Sequence, residues 1–120
     1  MLLFSHPQCL DHDPGPGHPE CPDRLRVVVD ALRAAFGPRL HWQQAPPAKL
    51  GDLGRVHDSE LIDLVLQPQT EPIRLIDMDT MTSPGSATAA LLAAGAGIAA
   101  VDAVMRGEDA IAFCAVRPPG

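Results

Sequence analysis

The last nine residues place the tightest constraint on how this chain folds. They read Ala-Phe-Cys-Ala-Val-Arg-Pro-Pro-Gly, a short apolar run that breaks into a rigid turn at residues 118–120. An apolar run of this length is typical of a buried strand in a parallel sheet. A turn rich in Pro and Gly at the carboxyl end of such a strand is where α/β proteins place functional loops. The pattern therefore predicts an α/β protein with a functional loop that begins near Arg117.

The remainder of the chain alternates between strand and helix patterns. Short apolar runs predict strands at residues 2–5, 41–44 and 110–116. Helical periodicity and capping residues predict helices at residues 23–36, 49–55, 59–67 and 83–106, the last capped by the Ser83 hydroxyl. Five prolines and two glycines predict a long loop at residues 6–22, and residues 73–78 are expected to be extended or irregular. This order of elements predicts a largely parallel sheet.

Composition excludes several classes of function. A chain of 120 residues forms one domain or part of one, and its net charge of −6 argues against a sequence-independent nucleic-acid binder. No run of Lys or Arg suggests a membrane surface, and the apolar stretch at residues 87–101 is better explained as a buried helix than as a membrane span. Three cysteines are sparse and odd in number, which favours a reducing, cytoplasmic compartment.

The first loop supports competing interpretations. Its residues Cys9, His12, His18 and Cys21 form a C-x2-H-x5-H-x2-C pattern, a ligand set that zinc accepts in tetrahedral geometry. Alternatively, the loop folds over an active site, with prolines holding His18 in place. In that case Arg24, if it is buried in the next helix, needs an acidic or carbonyl partner. A third possibility is a solvated loop in which Arg24 forms a surface ion pair.

Three other motifs have mainly structural interpretations. Asp58 or Ser59 can cap the helix that follows, which is favoured over a catalytic His57–Asp58 pair. Asp77 and Asp79 would point to the same side of an extended segment, where a metal pair is possible but a solvated loop is favoured. The Gly-Ala-Gly of residues 95–97 lies inside a helix, so it predicts close packing and not a phosphate-binding loop.

Four segments, taken in order, resemble the histone deacetylase family, in particular its bacterial histone deacetylase-like amidohydrolases and acetylpolyamine amidohydrolases. They are Gly17-His18-Pro19-Glu20-Cys21-Pro22-Asp23-Arg24-Leu25, Val56-His57-Asp58, residues 79–86 with the Ala-rich helix after them, and Val116-Arg117-Pro118-Pro119-Gly120. The order and spacing of the four make the resemblance strong over essentially the whole chain. Cys21 stands where the family usually has Arg.

The resemblance implies an arginase/deacetylase-like three-layer α/β fold with a parallel sheet, of which residues 1–120 would be the N-terminal portion. It implies zinc-dependent hydrolysis of an N-acetyl amide, from acetyl-lysine or an acetylated polyamine. By the same resemblance, His18 and Pro19 form a wall of the substrate tunnel, Arg24 lines the inner channel and Asp79 lies at the rim. The residues that lead into the catalytic loop would be Arg117, Pro118, Pro119 and Gly120.

The resemblance also places the catalytic His pair directly after Gly120, and the zinc ligands and a tyrosine later still. No catalytic residue or metal ligand is then expected among these residues, and Zn²⁺ belongs to the complete family domain. We expect the chain alone to be inactive, and its incompletely covered sheet to promote association, including formation of a homo-oligomer. The alternative is a non-catalytic binding module or small zinc domain, which would hold one zinc ion that Cys9→Ser removes.

Overall fold

The computed structural model describes residues 1–119, in which short strands alternate with helices. Two short 3₁₀ helices, Pro7–Asp11 and Gly37–Arg39, accompany the regular elements. In chain order the regular elements are β1 (Leu2–Ser5), α1 (Pro22–Phe36), β2 (His41–Gln44), α2 (Leu50–Leu53), α3 (Ser59–Leu66), β3 (Arg74–Leu75), β4 (Met81–Thr82), α4 (Ser86–Met105) and β5 (Ala112–Ala115).

The main sheet is parallel and has the order β2-β1-β5. Leu3 in the central strand lies opposite Trp42 on one side and Phe113 on the other. The predicted strands at residues 2–5 and 41–44 are confirmed, and the third is confirmed over four of its seven residues. The sequence did not predict the antiparallel hairpin of β3 and β4, in which Arg74 pairs with Thr82.

The core has two sides because alternate residues of β1 point to opposite faces of the sheet. Leu2 and Phe4 lie in a cluster with the small residues Ala96, Ala100 and Ala103 of α4. On the other face, buried Leu3, Cys9, Leu25 and Leu40 form a second cluster, against which Val29 and Leu32 of α1 pack. Helices therefore cover both faces of a parallel sheet, which confirms the predicted three-layer α/β fold.

The helix α4 approaches the segment after β2 closely at one glycine. A Cβ atom on Gly95 would lie 1.9 Å from the carbonyl oxygen of Pro46, which is backbone and cannot move aside cheaply. The backbone N–H of Ala48 also donates to the carbonyl of Leu91, at 2.9 Å. Gly97 has no such neighbour within 4 Å, so the predicted close packing is confirmed for the first glycine of the pair only.

Two local predictions were wrong because polar side chains make hydrogen bonds that the sequence patterns did not identify. α4 begins at Ser86 and not at Ser83, whose hydroxyl instead donates to the carbonyl of Asp11 and accepts from the backbone N–H of Asp13. The first loop is also partly helical. His6 caps the 3₁₀ helix Pro7–Asp11, since its Nδ1 accepts from the backbone N–H of Gln8.

One side of α4 carries exposed apolar residues, so the predicted buried helix is buried only on the sides that face the rest of the fold. Ile98, Val101 and Met105 follow one another at helical spacing, and Val101 and Met105 are 62% and 81% exposed. By length and composition α4 could cross a membrane, a test that core helices also pass. Phe113 adds apolar surface on β5, which pairs only with β1 among the described residues.

The two glycines of α4 give a matched test of this packing. We expect Gly95→Ala to lower the free energy of unfolding by about 3 kcal/mol or more, because the new methyl group meets backbone atoms. Gly97→Ala should raise it by about 0.5–1 kcal/mol, since Ala favours the helix and the site is open. Urea unfolding followed by circular dichroism measures both. Equal stability of the two variants would show that residues 45–48 do not lie against α4.

Candidate functional site

The buried guanidinium of Arg117 is the centre of the candidate site. Arg117 lies two residues after the end of β5, and its side chain is 2% exposed. Its Nε donates to a carboxylate oxygen of Glu20 at 3.0 Å, and its terminal nitrogens donate to the carbonyl oxygens of Cys9, His12 and Glu20. A buried charge requires such partners. Because the acceptors span residues 9–20, one side chain attaches most of the first loop to the end of the sheet.

A second attachment joins the first loop to the start of α4. Nδ1 of His12 lies 2.7 Å from the hydroxyl oxygen of Ser86, and both residues are buried. Gly85 is packed so tightly that a Cβ atom there would lie 2.5 Å from the carbonyl oxygen of Asp11. Burial, together with the nearby charge of Arg117, lowers the pKa of His12. His12 is therefore a neutral imidazole at neutral pH, which suits its place beside a cation.

The first loop also contacts the hairpin through His18. Nδ1 of His18 accepts a hydrogen bond from the backbone N–H of Glu20 at 3.1 Å. In the neutral ring the other nitrogen then carries the proton. That nitrogen, Nε2, donates to the carbonyl oxygen of Asp79 at 3.2 Å. A continuous path of polar contacts therefore runs from Arg117 through Glu20 and His18 to Asp79.

The hairpin tip is an acidic turn held by its own first carboxylate. Oδ1 of Asp77 accepts from the backbone N–H groups of Asp79 at 3.1 Å and Thr80 at 2.9 Å. A side-chain hydrogen bond from Thr80, together with these backbone hydrogen bonds, lowers the pKa of Asp77. The carboxylate of Asp79 stays exposed beside Met78, whose side chain is 98% exposed. Oδ1 of Asp77 is thus engaged in holding the turn.

The structure brings together most of the residues that the sequence predicted for the site. His18 and Asp79 are in direct contact, exposed Pro19 lies between His18 and Glu20, and Arg117 holds Glu20. Pro118 and Pro119 extend the chain from Arg117, whereas Gly120 lies outside the described residues.

Arg24 contacts this group from the protein surface. Its side chain is 61% exposed and lies 3.3 Å from the carboxylate of Glu20. The ion pair expected for a solvated loop is therefore present, and the role of Arg24 in an inner channel stays a prediction.

Sequence reasoning missed that Arg117 is the buried arginine. The need for acidic and carbonyl partners was assigned to Arg24, whereas Arg117 meets that description. One signal was available: Arg117 directly follows an apolar run that predicts a buried strand, so its side chain was expected to start near the interior of the fold. The partner could not be found in this way, because Glu20 lies 97 residues earlier in the chain.

The structure does not assemble the alternative zinc module. Cys9 is fully buried in the apolar cluster with Leu3, and burial raises the pKa of its thiol, which opposes the thiolate that zinc requires. His12 and His18 already have hydrogen-bond partners in Ser86 and Asp79. Within residues 1–119, no three His, Cys, Asp or Glu side chains are grouped so that they could hold a metal ion. The first loop is organised around an arginine and not around a metal.

The buried neutral state of His12 predicts a stability that depends on pH. As the pH falls through about 6.5, the ordinary pKa of histidine, the unfolded chain binds a proton that the folded chain resists. The free energy of unfolding should then fall, by at most about 1.4 kcal/mol per pH unit for one proton. Urea titrations between pH 7.5 and 5.5 measure this slope. It should shrink in His12→Gln and persist in His57→Gln, whose target is exposed; equal slopes in all three proteins would contradict the assignment.

Comparison with known proteins places this arrangement in a family. The profile of the histone deacetylase domain matches residues 18–120. The chain is 37% identical over 105 residues to histone deacetylase 8 of Arabidopsis thaliana, covering 86% of this chain and 28% of that protein. It is 36% identical over 107 residues to a histone deacetylase-like amidohydrolase of Pseudomonas aeruginosa, covering 87% of this chain and 28% of that protein.

A solved structure agrees with this assignment. The crystal structure of the HDA15 HD domain superimposes with a TM-score of 0.92 at 31% identity, covering all of this chain and 37% of that one. The chain spans 28–40% of the length of the first curated relatives that it matches. The resemblance drawn from the sequence motifs is confirmed, and the chain belongs to the histone deacetylase family.

Proposed function

We propose that these residues supply the substrate wall and rim of a zinc-dependent deacetylase that hydrolyses N-acetyl amides, on acetyl-lysine or an acetylated polyamine. One observation carries the proposal: the polar path from Arg117 through Glu20 and His18 to Asp79. This path joins the three segments that the family resemblance assigns to the lead-in of the catalytic loop, the tunnel wall and the rim. Segments far apart in sequence thus meet where a substrate would enter.

The exposed carboxylate of Asp79 is suited to bind the substrate. Its backbone carbonyl accepts from His18, which fixes the position of the residue. Oδ1 of its carboxylate accepts from the Thr80 hydroxyl at 3.4 Å, and the exposed carboxylate can accept further hydrogen bonds. A carboxylate accepts from an amide N–H and attracts an ammonium group, and both groups occur in acetylated peptides and polyamines. Because the site is exposed, solvent screening limits the gain in affinity.

The residues of the proposed tunnel wall are held in place within this chain, whereas those of the proposed inner channel are exposed. His18 has a partner on each ring nitrogen, so the wall has a defined position within the described residues. Arg24 is exposed, and a channel around it would need parts of the longer family domain to cover it. In the proposed enzyme Arg24 would then lie behind the wall, near the departing acetate.

Residues 1–119 do not fit the zinc site that the family implies. They lack a group of three His, Cys, Asp or Glu side chains placed to hold an ion. The buried cysteine and the two histidines of the first loop are engaged elsewhere in the fold. The proposed contribution of this chain is therefore to bind and orient the substrate, and we assign it no zinc ligand and no general base.

The purified 120-residue chain should release no acetate from an acetyl-lysine peptide or from an N-acetylated diamine, even with added zinc. The reason is that its residues offer binding surfaces without a metal centre. Acetate release measured after repurification is the test. Turnover that persists and that a chelator abolishes would contradict the proposal, because the chain would then hold a catalytic metal.

The rim assignment predicts the effect of Asp79→Asn in an active deacetylase that carries this chain. KM for a cationic acetylated substrate should rise about three- to tenfold, because one exposed charge-assisted hydrogen bond is lost. kcat should change by less than about twofold, since the reacting bond is remote from the rim. Asp63→Asn on α3 removes an equally exposed charge and should leave both constants unchanged. An unchanged KM in Asp79→Asn would remove Asp79 from the rim.

A further inference from the structure

We propose that Arg117 is a positioning residue whose planar fork holds the first loop, and with it the His18 wall, against the carboxyl end of β5. The inference rests on the proposed function only because it takes His18 to face the substrate. The attachment itself is a property of these residues and can be tested without turnover.

The acceptors around Arg117 require a guanidinium and not merely a positive charge. They are three carbonyl oxygens and one carboxylate, contributed by Cys9, His12 and Glu20. Arg presents its donors in a rigid plane from three separate nitrogens, whereas Lys presents three donors from one atom. Lys at this position could reach only part of the set, so the substitution would leave buried carbonyls without donors.

The part of the loop that contains His18 has few other attachments. Residues 15–19 are outside any helix or strand, and Gly15 and Gly17 adopt positive φ angles of 102° and 78°. The local hydrogen bonds are a turn from the N–H of His18 to the carbonyl of Gly15, at 3.4 Å, one from the N–H of Gly15 to Asp13, and one from the N–H of Glu20 to Nδ1 of His18. Beyond these, the segment is ordered by the contact of His18 with Asp79 and by the hydrogen bonds from Arg117 to Glu20.

Loss of the hydrogen bonds from Arg117 should therefore open the loop locally and leave the rest of the fold in place. Segments with few buried contacts open as units at a lower free energy than the whole domain. Cys9 reports such opening, because it is fully buried and its carbonyl is bonded to Arg117. Cys114 reports a disturbance of the sheet, because it is half-buried in β5 and packs against the other core cluster.

The two arginines bonded to Glu20 form a matched pair of variants. Arg117 is 2% exposed, whereas Arg24 is 61% exposed and contacts the same carboxylate. Breaking the buried pair costs much more than breaking an exposed one. Arg117→Lys should therefore loosen the loop, and Arg24→Lys serves as the control for the loss of a guanidinium beside Glu20.

The test is pulsed alkylation of the native protein that carries this chain, read at each cysteine by mass spectrometry. Iodoacetamide is applied below the unfolding temperature of each variant. In Arg117→Lys the rate at Cys9 should rise by at least about tenfold, while the rate at Cys114 changes by less than about twofold. Arg24→Lys should leave both rates within about twofold of the wild type.

Two results would overturn the proposal. The first is a rate at Cys9 in Arg117→Lys that stays within twofold of the wild type. The second is a parallel rise at Cys9 and Cys114, which would show that Arg117 supports the whole fold and not the loop.

If Arg117→Lys does not fold, Glu20→Gln tests the proposal through the same comparison of alkylation rates at Cys9 and Cys114. This variant keeps the backbone acceptor of residue 20 and removes the side-chain charge. Its Cys9 rate should exceed that of Arg24→Lys, and equal rates would overturn the proposal. These rates are independent of acetate release, so they separate this inference from failure of the proposed activity.

Discussion

The first loop depends on one buried cation. An arginine removed from water must find acceptors, and here they come from a segment that has little regular structure of its own. The cost of burying Arg117 is offset only when the loop adopts the path that brings its carbonyls and Glu20 to the guanidinium. The need of one buried guanidinium for acceptors thus determines the backbone path of about twelve residues.

The candidate site follows from that course. Once Glu20 is held, its backbone N–H meets His18, and His18 in turn meets the backbone of Asp79 at the hairpin tip. On the other side, His12 and Ser83 join the loop to the start of α4. The loop is therefore connected to the strand end, the helix and the hairpin at the same time. A substrate wall needs this kind of support, because loops without it do not keep a defined shape.

The sequence predicted the elements whose causes are local. The strands at residues 2–5 and 41–44 and the helix α1 match closely, because apolar periodicity and flanking breakers act over a few residues. β3 and β4 were missed since two-residue strands carry no period, and the start of α4 was misplaced since Ser83 bonds to the first loop. Family motifs predicted His18, Asp79 and Arg117 as site residues. The partner of the buried Arg117 could not be predicted from a local pattern, because Glu20 lies 97 residues earlier in the chain.

The order of the sheet has a consequence for how the chain acquires its structure. β1 is central, yet one of its partners is β5, with Leu2 opposite Ala112. A ribosome releases β1 before β5, so one side of this strand stays open until residues 112–115 have emerged. Pairings between such distant residues form slowly, because a long loop must close before any contact is gained. Arg117 emerges just after β5, so the first loop is made soon after β1 but becomes ordered only once β5 and Arg117 are available.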